Sequence, residues 1–183
     1  MTPLLSFDQV SLRRGGRLLF EALDLAVGPG EALLVTGPNG SGKSSLIRLA
    51  AGLLRAEHGS VERTALALAD EHLALDRELP LRRALGFWAE AVDPALEALG
   101  LAYLANVPVR LLSSGQQKRA TLARVIASGA PLWLLDEPLN GLDSDSAERL
   151  STELARHLAG GGAVLAASHL PLPGDWRVLE LGQ

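Results

Sequence analysis

Short apolar segments alternate with helical patterns along this sequence of 183 residues. The alternation predicts a parallel sheet flanked by helices, because each strand of such a sheet is followed by a crossover helix. The hairpin-forming residues 13–16 separate the first two apolar segments, so we expect antiparallel strands at the N-terminal end of an otherwise mostly parallel α/β fold. The predicted strands cover residues 4–10, 18–27, 32–36, 61, 65–69, 132–135, 163–167 and 177–181.

Two longer helical patterns lie between these strands. One helix is predicted at about residues 43–53, directly after a glycine-rich turn. The other is predicted over residues 144–159, where Leu150, Leu154 and Leu158 recur on one helical face. Three consecutive glycines then end the second helix.

A third helical region differs in character from the rest of the chain. Pro80 suits the first turn of a helix that runs to about residue 92, and Pro94 suits the start of the next helix. We therefore predict a single domain over residues 1–183, with a small helical lobe at about residues 73–128 inserted into it.

The composition excludes several classes of protein. Apolar residues make up 48% of the chain, which is enough for a sizeable core and argues against disorder. The net charge of −4 argues against nucleic acid as a partner, and the absence of cysteine excludes disulfides and thiol chemistry. We expect no secretory signal and no membrane span in the sequence, so any role at a membrane requires a partner.

The sequence GPNGSGKS at residues 37–44 fits a phosphate-binding loop between a predicted strand and a predicted helix. Its glycines let successive backbone N–H groups point at phosphate oxygens, and the helix N-terminus adds partial positive charge. The lysine reaches the β- and γ-phosphates, and the following serine hydroxyl binds Mg²⁺. The residues expected to contact the nucleotide are Gly37, Pro38, Asn39, Gly40, Ser41, Gly42, Lys43, Ser44 and Ser45.

A second set of polar residues follows other predicted strands of the same sheet. Asp136 and Glu137 come directly after the apolar segment 132–135, at the carboxyl end where parallel sheets bind ligands. Asp136 suits the Mg²⁺ shell, whereas Glu137 is expected to point elsewhere, since side chains alternate along a strand, and to polarise the attacking water. His169 follows the segment 163–167, from which its side chain can reach the γ-phosphate.

The segment LLSSGQQKRA at residues 111–120 predicts a helix start with spare hydrogen-bonding capacity. Ser114 and Gln117 fit a capping box, so the helix begins near Ser114. An ordinary capped helix explains the segment locally. However, Ser113, Ser114 and Gly115 leave N–H groups and a hydroxyl free at a positive helix end, which can hold a phosphate.

Together these motifs resemble the ATP-binding cassette (ABC) family over nearly the whole chain. In that family two cassettes pair head to tail, and the signature segment of one faces the ATP held by the other. The resemblance implies that a second copy is a partner, with Glu137 as catalytic base, His169 on the γ-phosphate and Asp143 at the dimer interface. The signature residues that would face the ATP of the second copy are Ser113, Ser114, Gly115 and Gln116.

Two positions depart from the family pattern. The family usually has an aromatic residue that stacks on adenine, and the matching position here is Arg14. Arginine can stack on a planar ring, but an exposed turn residue explains Arg14 equally well. The family also has a glutamine that contacts Mg²⁺ and the membrane partner, and the nearest match is His72, which either binds metal or orients water, or is a non-ligating replacement.

Within the family, the chain looks most like the ATP-binding subunits of haem exporters that serve cytochrome c biogenesis. Four segments, less specific than the family motifs above, indicate this similarity: GGRLLFEAL at 15–23, GFWAEA at 86–91, LSSGQQKRATLAR at 112–124 and GGAVLAASHLPL at 161–172. The resemblance implies integral membrane subunits as partners and a peripheral place on the cytoplasmic side of the bacterial inner membrane. A different exporter cassette, a soluble cassette acting on ribosomes or DNA, and a nucleotide-gated scaffold with little hydrolysis remain as alternatives.

Overall fold

The structure, a computed structural model, describes residues 2–182. Strands and helices alternate as the apolar pattern predicts, and two short 3₁₀ turns, Ala102–Leu104 and Val109–Leu111, precede the longest lobe helix. The elements are β1 (Leu5–Arg14), β2 (Arg17–Val27), β3 (Ala32–Thr36), α1 (Lys43–Ala50), β4 (His58–Arg63), β5 (Leu66–Ala69), α2 (Leu81–Leu85), α3 (Asp93–Ala98), α4 (Ser114–Ala127), β6 (Leu132–Asp136), α5 (Ser144–Ala159), β7 (Ala163–Ala167) and β8 (Arg177–Glu180).

The strands form two sheets. An antiparallel sheet has the order β2-β1-β4, and a parallel sheet has the order β5-β6-β7-β3-β8. In the parallel sheet Ala167 at the end of β7 pairs with Val35 of β3 on one side and with Asp136 of β6 on the other. The carboxyl ends of these three strands therefore lie at one level, where the loops that follow them meet.

The strands β3, β6 and β7 of the parallel sheet are buried on both faces, which explains their uninterrupted apolar sequences. Successive residues of β3 point into different cores: Ala32 and Leu34 join one cluster, whereas Leu33 and Val35 join the other. One core lies between the sheet, α1 and the antiparallel sheet, and the other holds α4, α5 and the lobe. The α/β architecture predicted from the sequence is confirmed.

The helix predicted from residue 80 to about residue 92 is wrong in length. The helix α2 ends at Leu85, and Gly86 occupies the position directly after it. The chain then turns, so that the Trp88 ring lies 4.8 Å from the Arg124 guanidinium carbon of α4. Helix propensity is therefore outweighed here by glycine and by a cation–π contact. The lobe limits given above stay a prediction.

The helix α5 packs on the parallel sheet through an aromatic pair. The His157 ring stacks on Trp133 of β6 at a centroid distance of 3.8 Å and an angle of 11°. His157 Nε2 lies 3.3 Å from the Ala163 carbonyl oxygen. Gly162 makes room for this ring, because a Cβ at that position would overlap the imidazole. Burial lowers the pKa of His157 below its ordinary value, so the folded protein favours the neutral imidazole.

The stacked imidazole predicts a specific loss of stability in acid. Below about pH 6.5 the unfolded chain binds a proton at His157 more readily than the folded chain does, so the free energy of unfolding falls as the pH is lowered. His157→Phe keeps the stacked ring but removes the titration. Urea unfolding at pH 7.5 and pH 5.5 should show a smaller acid-induced loss in this variant, and equal losses in both proteins would contradict the prediction.

Candidate functional site

The phosphate-loop motif lies where the sequence predicts it, between the end of β3 and the start of α1. The buried Lys43 side chain curls back into the loop, and its Nζ donates to the carbonyl oxygens of Gly37 at 2.7 Å and Pro38 at 3.0 Å. An open cavity of about 510 Å³ faces the loop. Its lining residues are Arg14, Gly15, Leu19, Asn39, Gly40, Gly42, Lys43, Ser44, Ser45 and Glu137.

The backbone of this loop depends on glycine. Gly37 has a φ of 136°, and a Cβ at this position would overlap the Leu181 carbonyl oxygen that follows β8. Gly42, the residue before α1, also has a positive φ of 106°. The Ser41 hydroxyl is buried and has no hydrogen-bond partner among the described residues. The loop thus combines a tight backbone that only glycine can adopt with a buried hydroxyl that has no partner, as a phosphate-binding loop requires.

A serine and a carboxylate meet at the edge of the cavity. Ser44 Oγ donates to Asp136 Oδ1 at 3.2 Å, which joins the first turn of α1 to the end of β6. Burial raises the pKa of Asp136, the Ser44 hydrogen bond lowers it, and the negative charge of Glu137 raises it again. A cation at this point would relieve that unfavourable burial of charge.

The donor chemistry fits Mg²⁺, which prefers hydroxyl and carboxylate oxygens. Within residues 2–182 no group of three or more His, Cys, Asp or Glu side chains could hold a metal ion by itself. Ser44 and Asp136 would therefore bind Mg²⁺ together with phosphate oxygens rather than as a protein-only centre.

Glu137 does not continue the alternation of β6. The strand ends at Asp136, and Glu137 has a left-handed φ of 48°. Its N–H donates to the Ala167 carbonyl oxygen at 2.8 Å, and its Oε2 accepts a hydrogen bond from His169 Nδ1 at 2.8 Å. We attributed the different direction of the Glu137 side chain to the alternation of side chains along a strand. That reason is wrong, because the strand has already ended and a backbone turn at Glu137 sets the direction. The structure brings Glu137 and His169 together.

The signature helix α4 begins at Ser114, but its N-cap lies one residue before the predicted one. Ser113 is the N-cap of α4: its Oγ accepts from Gln116 N at 3.3 Å, while Gln116 Oε1 accepts from Ser113 N at 2.8 Å. The predicted capping box of Ser114 and Gln117 is therefore wrong. The sequence holds two overlapping serine-glutamine pairs, and the extended backbone of Ser113 selects the first.

The signature residues lie away from the phosphate cavity of their own chain. The lining of that cavity includes none of the residues 113–116. Gly115 instead packs against the loop after β6, where a Cβ would come within 3.2 Å of the Gly141 carbonyl oxygen. The exposed Asp143 caps α5 through Ser146 N at 2.8 Å, and hydrogen bonds from Ser146 lower the pKa of this carboxyl.

The two departures from the family pattern occupy different places. Arg14 lines the phosphate cavity, and its Nη1 lies 3.4 Å from Ser45 Oγ. His72 lies outside the lining of that cavity, and its Nδ1 is 3.0 Å from Asp70 Oδ2. A role for His72 as a metal ligand stays a prediction.

Three features of this region were missed in the sequence. Asp70 is a buried carboxylate directly after β5, level with Asp136, the last residue of β6, and its signal in the sequence was an acidic residue directly after an apolar segment. The partly buried Lys118 of α4 lies near the carboxyl ends of β5 and β6. Burial lowers the pKa of Lys118, while the negative charges of Asp136, Glu137 and Asp70 oppose that shift. An apolar groove of about 620 Å³ lies beside them. The groove is lined by Arg48, Ala51, Leu53, Leu54, Leu66, Ala67, Leu68, Asp70, His72, Ala74, Trp88, Arg124 and Ser128.

Known sequences and structures are similar to this chain. A family profile described as "ABC transporter" matches residues 20–140. A solved chain described as the ATP-binding subunit of an ABC transporter aligns with a TM-score of 0.84 over 91% of this chain and 80% of its own, at 23% identity. A putative ABC transporter ATP-binding protein from Pyrococcus furiosus gives the same TM-score over 97% and 96%, at 20% identity.

The chain belongs to the ABC transporter family. This confirms the expected family and the ATPase fold, and membership of the family implies that the chain binds ATP. The cytochrome c biogenesis ATP-binding export protein CcmA of Sphingopyxis alaskensis is 58% identical over 180 residues, which cover 94% of this chain and 93% of that protein. The protein of the same name from Zymomonas mobilis is 49% identical over 97% of this chain and 84% of its own length.

The glycine at the start of the phosphate loop provides a test of the ABC-type site. We expect Gly37→Ala to weaken ATP binding about tenfold or more, because the added Cβ strains the backbone and displaces the loop from Leu181. Gly161→Ala is the matched control, since Gly161 also has a positive φ of 83° but no atom lies within 4 Å of the added Cβ. Titration with a fluorescent nucleotide measures the affinity of both variants, and equal affinities for Gly37→Ala and Gly161→Ala would refute the assignment of residues 37–44 as the nucleotide site.

Proposed function

We propose that this chain is the ATP-hydrolysing subunit of an exporter that serves cytochrome c biogenesis. One observation supports the proposed ATP hydrolysis. Lys43, Ser44 and Glu137 line the same cavity, and Asp136 accepts a hydrogen bond from Ser44 at the edge of that cavity. The export role is supported by the similarity to cytochrome c biogenesis ATP-binding export proteins over nearly the full length of both chains. The cargo proposed from that similarity is haem.

The phosphate loop binds and orients the triphosphate. The N–H groups of residues 39–44 and the Lys43 ammonium supply positive charge toward the β- and γ-phosphates. Lys43 would exchange its contacts with the carbonyl oxygens of Gly37 and Pro38 for contacts with phosphate oxygens. Mg²⁺ held by Ser44 and Asp136 would offset negative charge that develops on the phosphates.

Glu137 and His169 act on the water that attacks the γ-phosphate. The carboxylate of Glu137 lines the cavity and accepts a proton or orients the water in line with the bond that breaks. His169 donates to that carboxylate through its Nδ1 and follows β7, from which its side chain would reach the γ-phosphate. The pair is fixed by backbone pairing between β6 and β7, so little reorganisation precedes the reaction.

The signature residues serve a second copy of the chain. Ser113, Ser114, Gly115 and Gln116 form a capped helix end, and none of them lines the phosphate cavity of its own chain. The N–H groups of Ser114 and Gly115 take no part in the capping box and would face the phosphate. A head-to-tail dimer would place this helix end on the γ-phosphate held by the other copy, with Asp143 at the interface. ATP would then hold the dimer closed, and hydrolysis would open it.

A membrane subunit is the proposed partner of the apolar groove. Leu53 is 61% exposed and Trp88 is 42% exposed in its walls, which also carry Arg48 and Arg124. These features suit a short amphipathic helix that brings apolar and acidic side chains. No helix within residues 2–182 is long and apolar enough to cross a bilayer. A peripheral position on the cytoplasmic side of the inner membrane would therefore be held through this partner.

Replacing the proposed catalytic base tests the hydrolytic role. We expect Glu137→Gln to lower ATP turnover about a hundredfold or more, because the amide is a far weaker base than the carboxylate. ATP binding should persist, and the variant should accumulate as an ATP-bound dimer in size-exclusion chromatography. Turnover equal to that of the wild type would remove Glu137 from the mechanism.

Replacing a groove residue tests the membrane partner. Leu53→Ser should lower recovery of multi-span subunits and of haem absorbance from gently solubilised membranes about tenfold, since it removes an exposed apolar contact. Val178→Ser on β8 is the matched control, because Val178 is 58% exposed but lies outside the groove. Recovery of a different permease without haem-handling proteins would keep the ATPase assignment and overturn the haem assignment.

A further inference from the structure

Helix α4 contacts the parallel sheet through two cationic side chains. Lys118 Nζ donates to the Asp136 carbonyl oxygen at the end of β6, at 3.4 Å. The Arg124 guanidinium donates to the Leu68 carbonyl oxygen of the neighbouring strand β5. The helix that starts at the signature is thereby tied to the two strand ends that carry Asp70 and Asp136.

The carbonyl group that Lys118 holds belongs to the peptide bond between Asp136 and Glu137. Glu137 has a φ of 48°, which is unusual for a residue other than glycine and persists only where surrounding contacts enforce it. On one side of this turn the Glu137 N–H donates to Ala167 of β7 at 2.8 Å. On the other side, Lys118 contacts the Asp136 carbonyl oxygen. The turn that aims the Glu137 carboxylate is thus held from β7 and from α4.

The charge around Lys118 favours this contact. Its ammonium group is partly buried and attracted by the carboxylates of Asp70, Asp136 and Glu137. The chain contains only one other lysine, Lys43, which occupies the phosphate loop. A neutral side chain at position 118 would lose both the donor and the positive charge that the three carboxylates attract.

We propose that Lys118 is a positioning residue for ATP hydrolysis, which holds the Asp136–Glu137 peptide so that the Glu137 carboxylate faces the phosphate cavity. The inference rests on the catalytic role proposed above for Glu137. It adds that the helical lobe, through Lys118 of α4, directly contacts the turn between Asp136 and Glu137. Lys118 lies little more than one helical turn from Ser113, so a displacement of the helix end that faces the second copy moves the Lys118 contact as well.

The test separates positioning from folding and from ATP binding. Lys118→Met in the complex purified from membranes should lower kcat about tenfold to a hundredfold, while KM for ATP changes less than about threefold. Lys118→Arg keeps the positive donor and should restore most of the rate. Arg110→Met is the matched control, since Arg110 pairs with the exposed Glu78 in the same lobe, and it should leave kcat unchanged. A Lys118→Met enzyme with wild-type kcat would overturn the inference.

A double-mutant cycle distinguishes this inference from the proposed function. If Lys118 acts through Glu137, Lys118→Met should add almost no further loss to Glu137→Gln. Independent, multiplicative losses would overturn the positioning role while leaving Glu137 as the base. If Glu137→Gln alone hydrolyses ATP at the wild-type rate, the proposed function fails by itself. Parallel loss of kcat and of thermal stability in Lys118→Met, with no recovery in Lys118→Arg, would show a structural role only.

Discussion

The pairing of β7 with both β3 and β6 is the constraint on which the site depends. Backbone hydrogen bonds in a parallel ladder leave little freedom along the strand, so the ends of the three strands stay at one level. The phosphate loop, the Asp136–Glu137 turn and His169 each continue from one of these ends. The sheet therefore fixes the relative positions of these residues, and only short, local contacts within the loops are needed to orient their side chains.

The candidate site contains a group of carboxylates and, beside it, two lysine side chains of opposite charge. The carboxylates of Asp70, Asp136 and Glu137 gather at the ends of β5 and β6, while Lys43 lies in the phosphate loop and Lys118 approaches from α4. A triphosphate would add negative charge beside these carboxylates, so a cation bound with it would make its binding more favourable. We therefore expect nucleotide and metal to bind together, and burial, which raises the pKa of Asp136, adds to the benefit of a cation there.

The sequence specifies most of this architecture but not its turns. The strands β3 and β7 and the helix α5 have the predicted limits, because uninterrupted apolar runs and a glycine stop mark them clearly. The helix after Pro80 is shorter than predicted, since the contact between Trp88 and Arg124 depends on tertiary packing. The turn at Glu137 and the contact of Lys118 likewise join residues from different elements, and no local pattern encodes them.

The contact between Gly37 and Leu181 has a consequence for the synthesis of the protein. The phosphate loop is made early, but the backbone on which it rests follows β8, near the other end of the sequence. A nascent chain that has emerged only as far as α5 lacks both β7 and β8, and β3 is then without its two neighbours in the sheet. We therefore expect the phosphate loop to adopt its final backbone only after β7 and β8 have been made and have joined the sheet.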